Sequence, residues 1–164
     1  MAPSGGAHAV TERHPAPPEV VRLAVRLLDS QRLATVAVNG ADGYPWAATV
    51  GYVNEGLTLY FVSARDSLRT ERLAADDRTA AVVRSGADSS DALGVAMTGR
   101  AAEVLDPELV AHVNDLVAKR RRDQHAFGAA SNAVALFRFS PESLSLVTVS
   151  DGRSAPRRFR LDTV

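Results

Sequence analysis

Ser63, Arg65, Ser67 and Arg69 stand at alternate positions between an apolar run, residues 57–62, and a short amphipathic stretch, residues 68–75. Hydroxyl donors, guanidinium forks and the free N–H groups of a helix start, gathered at a strand-to-helix turn, suit a small dianion such as a phosphate monoester. A plainer assignment fits the same residues. Asp66 or Ser67 caps the helix, and Arg65 and Arg69 are solvated. Local sequence leaves both open. Other candidates are thinner. His8, His14, His112 and His125 are too scattered for a ligand motif, although His112 on a helix or His125 in a loop could ligate haem; a solvated or capping imidazole is the default. The run Lys119-Arg120-Arg121-Arg122 could neutralise a long anionic cofactor tail or nucleic acid, yet a basic cluster at a helix end reads first as a solvated terminus. No stacking aromatics accompany it, which argues against nucleic acid. Trp46 serves equally as core filler or as a wall against a planar ring. No residue stands out as a catalytic acid or base.

Composition narrows the chemistry further. The 164 residues include Cys 0, which removes disulfides, thiolate metal sites, iron–sulfur ligation and cysteine nucleophiles. Lys+Arg 19 balance Asp+Glu 19, so any anion site must be local and not a product of net charge. Lys119 is the only lysine. No apolar run reaches the roughly 18 residues that a membrane span needs, and the start lacks a signal-peptide core, so a cytoplasmic protein without membrane partners is expected.

Elements that could position the Ser/Arg segment are legible from periodicity. Residues 1–17 lack a pattern and read as a flexible arm, the ordered domain as residues 18–150, and residues 151–164 as a tail with a short edge piece near Phe159. Val20, Leu23, Ala24, Leu27 and Leu28 recur at helical spacing after Pro18. Residues 33–38, 45–53 and 57–62 then form a three-stranded antiparallel meander, joined by Asn39-Gly40-Ala41-Asp42-Gly43 and Asn54-Glu55-Gly56. A helix over 68–75, strands over 79–83 and 93–104, a helix opened by Asp106-Pro107, and two strands over 133–139 and 144–149 complete the order. Hairpin joints exclude a doubly wound parallel sheet. The expected fold is mainly β with helices, an antiparallel split barrel of six or seven strands whose three flanking helices plug its ends.

Three features in this order carry a resemblance: Gly43 and Pro45 in the first hairpin, the Ser/Arg cluster before a Leu-ended helix, and the run Thr98-Gly99-Arg100-Ala101. Together they resemble the pyridoxamine 5′-phosphate oxidase-like, flavin-binding split barrels, over residues 33 to about 149. The resemblance implies a homodimer that holds FMN in grooves at the subunit interface and acts as an oxidoreductase on a small molecule. It implies that Trp46, Ala47, Ala48, Thr49 and Val50 run along the flavin ring. Val62, Ser63, Ser67 and Arg69 would hold its phosphate, with Arg65 as an additional cation. Three departures bear on the substrate. Leu68-Arg69 stands where the oxidases have adjacent Arg-Lys, and the C-terminal Arg157-Arg158-Phe159-Arg160 lacks the Arg-x-His that holds the vitamin. A Gln of their fifth strand is replaced by Gly94. The expected activity is therefore not pyridoxamine phosphate oxidation. A deazaflavin-dependent reductase and a non-catalytic flavin- or haem-binding module are the alternatives.

Overall fold

The computed structural model of the protein describes residues 14–85, 92–120, 133–150 and 153–161. Eight strands and three helices follow in the order β1 (His14–Pro15), α1 (Pro18–Ser30), β2 (Leu33–Val38), β3 (Trp46–Glu55), β4 (Thr58–Ala64), α2 (Leu68–Ala75), β5 (Arg78–Arg84), β6 (Ala92–Glu103), α3 (Pro107–Arg120), β7 (Val134–Ser150) and β8 (Arg153–Arg160). The strands pair as β1-β8-β7-β4-β3-β2-β5-β6, and β7 also pairs with β6. That last pairing closes β7, β4, β3, β2, β5 and β6 into an antiparallel barrel, and β8 with β1 extends outward from β7.

The meander β2–β3–β4 forms as its hairpin signals direct. Gly43 and Gly56 adopt φ of 82° and 58°, a left-handed conformation that costs a glycine nothing. Strand alternation then sends Val36, Tyr52, Phe61, Val83 and Met97 into the barrel, where α1 buries Val20, Ala24, Leu27 and Leu28 among them. Tyr52 donates its hydroxyl to Leu28 O at 2.8 Å and so ties the helix to the barrel wall. α3 does not plug an end, contrary to expectation. It packs Val113 and Val117 on the outer face of β3, β4 and β7, against Val53, Tyr60 and Leu136. These strands are buried on both sides, which explains their near-continuous apolar runs.

The barrel has six strands, within the expected six or seven, but two of the expected strands are one. Residues 133–139 and 144–149 belong to one strand of 17 residues, β7, because Ser140-Pro141-Glu142 forms a bulge within the strand and not a turn. The register against β6 shifts there: Gly99 faces Pro141 and Thr98 faces Ser143, leaving Glu142 as the additional residue. Its carbonyl accepts Leu161 N–H at 3.0 Å, its carboxylate accepts Arg100 Nε at 3.1 Å, and both bonds fix the bulge. The tail contributes a full eight-residue strand, β8, with Phe159 packed against the barrel core.

The bulge explains the glycine in Thr98-Gly99-Arg100-Ala101. A Cβ at Gly99 would lie 2.7 Å from Pro141 Cα and closer still to the Ser140 carbonyl oxygen, both backbone atoms that cannot turn aside. Gly99→Ala is therefore expected to destabilise the protein by about 1 to 3 kcal/mol, as overpacking does. Denaturant unfolding measures it; unchanged stability would mean that the two strands approach less closely than this.

Candidate functional site

β3 pairs with β2 over its whole first half, from Trp46 opposite Val38 to Gly51 opposite Leu33. It pairs with β4 only from Tyr52 to Glu55. Beyond Tyr52 the two strands part. β4 continues alongside β7, with Val62, Ser63 and Ala64 opposite Leu136, Ala135 and Val134. Residues 46–51 thus keep one backbone edge in the sheet and leave the other without a strand partner, and residues 62–64 do the same on the facing side. Unpaired N–H and C=O groups must find another partner, which makes a strand edge a template for hydrogen bonding. All the residues that the sequence analysis selected on β3, Trp46, Ala47, Ala48, Thr49 and Val50, lie on that edge. Ala47 and Thr49 are exposed, whereas Trp46 packs partly into the core.

At the other lip of the split, Ser63, Ser67, Arg69 and Thr70 form one cluster. Ser67 is the N-cap of α2 and accepts Thr70 N–H at 3.3 Å through its hydroxyl. Ser63 Oγ lies 2.8 Å from Ser67 Oγ and accepts Arg69 Nε at 3.1 Å. Thr70 Oγ1 sits 2.9 Å from Ser63 Oγ and donates to Ala64 O at 2.7 Å. Arg69 Nη2 donates to Val62 O at 3.2 Å, so the guanidinium reaches back across the start of the split. Its Cζ is 5.9 Å from the centre of the Phe61 ring, which stacks on Phe137 at 5.6 Å and gives the cation a rigid base.

Arg69 is electrostatically unusual. Burial pulls its pKa below the ordinary arginine value, and no opposing charge among the described residues restores it. Both recorded acceptors are neutral oxygens, and two of its five N–H donors serve them. Arg65, by contrast, is paired with Glu103 at 2.8 Å and does not join the hydroxyl cluster. Arg78 and Arg120 have Asp76 and Asp29 at 2.7 and 3.0 Å, and Arg100 has both Asp77 and Glu142. The capping and anion-site assignments of Ser67 are thus not rivals: the hydroxyl caps the helix and also orders the cluster around Arg69. Thr70 escaped the sequence reading, although its place three residues after the cap, where a polar side chain reaches back, was the signal. Phe61 carried no signal beyond its apolar pattern.

The remaining candidates lie apart. His112 on α3 has its Nε2 3.1 Å from Oε1 of Glu55 on β3, and His14 is exposed on β1; His8, His125, Arg121 and Arg122 lie outside the described residues. Among the described residues no group of three His, Asp or Glu is placed to hold a metal ion, and no helix is long and apolar enough to cross a membrane.

A protein-family model for pyridoxamine 5′-phosphate oxidase matches residues 21–148. The chain belongs to this family. The sequence has no match among curated proteins. Solved structures with the same fold include a protein related to general stress protein 26, of the pyridoxinephosphate oxidase family, from Clostridium acetobutylicum (16% identity, 90% of this chain and 98% of that one, TM-score 0.66). An FAD-binding protein from Mesorhizobium loti is similar as well (23% identity, 78% and 94%, TM-score 0.62). So is a heme-binding protein from Mycobacterium smegmatis, of which the chain spans 58% while 86% of this chain is covered (19% identity, TM-score 0.64). At these identities the likeness establishes the fold and leaves ligand and reaction to the site itself. Within the oxidase family, the split between β3 and β4 and the Arg69 cluster are where this chain keeps donors and acceptors outside its own ladders.

Proposed function

We propose that this protein is an FMN-dependent oxidoreductase that works as a homodimer, with the cofactor bound between the two copies. The observation that carries the reading is Arg69, a part-buried guanidinium without a carboxylate among the described residues, held at the end of β4 where that strand has parted from β3. A flavin mononucleotide has complementary parts: a phosphate for Arg69, Ser63 and Ser67, and a ring rimmed with hydrogen-bonding groups for the backbone of residues 46–50. Arg65 would reach the phosphate only by exchanging Glu103 for it. The FAD-binding relative and the family itself support a flavin over other phosphates.

Dimerisation is supported by the outer face of the barrel. Cross-strand rows there carry small side chains, Ala47, Ala37, Ala80 and Thr98 in one row, so a second copy can approach the backbone closely. Bound in the groove, flavin would supply the hydride chemistry. The residues of this chain hold its phosphate, orient its ring and, with the second copy, exclude water.

Titration with FMN is expected to saturate at one flavin per chain in a particle of two chains. Arg69→Ala should weaken FMN by about 1.5 to 3 kcal/mol, as for a charge-assisted hydrogen bond, and leave riboflavin, which lacks the phosphate, nearly unaffected. Equal loss of both would mean that Arg69 acts through folding. For the reaction, a nicotinamide or deazaflavin donor should bleach the bound flavin faster than free FMN in stopped flow, while pyridoxamine phosphate should not be oxidised. Bleaching at the rate of free FMN would favour a carrier.

A further inference from the structure

A cleft of about 500 Å³ opens where α1 hands over to β2 and where β5 ends. Thr35 lies in its floor, with Thr49 of β3 and Val82 of β5 as its cross-strand neighbours. Leu33 and Val82 are 60% and 43% exposed, a large apolar exposure for one end of a sheet face. Around them stand Arg32, Arg84, Ser30 and Ser85. None of the described residues lining this cleft is acidic, whereas three other clefts each contain a carboxylate: Asp42 and Asp76 beside α2, Asp29 beside Arg120, and Glu142 near Pro45.

Arg84 is the sharper of the two cations. Arg78 at the opposite end of the same strand is held by Asp76 at 2.7 Å, but Arg84 has no ion pair among the described residues. Its partner across the ladder on β6 is Gly94, so no side chain stands beside it there, and a Cβ at Gly94 would meet only Val147 at 3.9 Å.

The geometry points to this cleft as a binding site for an organic anion, a carboxylate, sulfonate or phosphate carried on an apolar body about the size of a ring. A guanidinium takes two oxygens of such a group at once. The body covers Leu33 and Val82, whose removal from water drives binding. The volume lies in the range of small-molecule sites, roughly 300 to 1,000 Å³. Thr49 belongs both to this floor and to the β3 segment proposed to carry the flavin. That the acid is the substrate rests on the flavin reading; that it binds does not.

The test uses the intact protein and anilinonaphthalene sulfonate, an aromatic sulfonate that fluoresces when its rings leave water, with phenylnaphthylamine as the neutral counterpart. One sulfonate per chain is expected to bind, and Arg84→Gln to weaken it by roughly tenfold, as for a lost charge-assisted hydrogen bond. The affinity for phenylnaphthylamine should be unchanged. Leu33→Glu, which places a carboxylate in the cleft at an exposed position, should abolish sulfonate binding while the thermal midpoint stays in place. Sulfonate affinity indifferent to both substitutions would overturn the inference, and so would equal loss of both dyes, the mark of an adventitious apolar patch. FMN titrated into the same samples separates the two proposals. FMN that fails to bind while the sulfonate still depends on Arg84 overturns only the flavin reading; FMN that binds while the sulfonate ignores Arg84 overturns only this inference.

Discussion

The parting of β3 from β4 beyond Tyr52 is the constraint on which the rest of the site depends. A closed six-stranded barrel satisfies its own backbone, and nothing polar would be left to offer a ligand. Here β3 follows β2 while β4 follows β7, so the barrel opens along one seam and exposes two facing edges. The strands can separate without losing the core because each keeps a full partner on its other side. α3 braces the outside of this wall, and the hydrogen bonds of Asn54 to Asp29 and Arg120 pin the end of α3 to the end of α1 beside the last paired residues.

Charge placement sets one arginine at the seam apart from the others. Eighteen arginines in a chain of zero net charge could all be neutralised locally, and several are. Arg69 stands out because it is partly buried, has neutral acceptors and lies over Phe61. Desolvating a guanidinium without an anion is unfavourable, so the arrangement persists because packing elsewhere holds it, a pattern expected of a binding site more than of a structural ion pair. The hydroxyls of Ser63, Ser67 and Thr70 surround it with groups that can both donate and accept.

Much of this was legible in the sequence, and the misses have physical causes. The Gly43 and Gly56 turns, the cap at Ser67 and the helix over Leu68–Ala75 follow from local rules, and local rules suffice for hairpins and caps. Pro141 misled because a proline inside an apolar pattern normally ends a strand, whereas Gly99 across the ladder makes room for it in a bulge. The position of α3 outside the barrel could not be read either: Val53, Tyr60 and Leu136 look like ordinary core residues until the second buried face is known. The sequence also pointed to Ser63, Ser67 and Arg69 together but could not distinguish Arg65, whose partner Glu103 is distant in the chain. The cleft at Arg84 left no local trace, since Leu33, Thr49 and Val82 come together only through the register of three strands.

If Arg69 and the hydroxyls beside it hold the FMN phosphate as proposed, phosphorus NMR of FMN bound to the protein reads it at the phosphate itself. A guanidinium in contact favours the dianion, so the second ionisation of the FMN phosphate, ordinarily near pH 6, should move to lower pH on binding. Bound FMN whose phosphate titrates as it does free in solution would mean that Arg69 does not touch it.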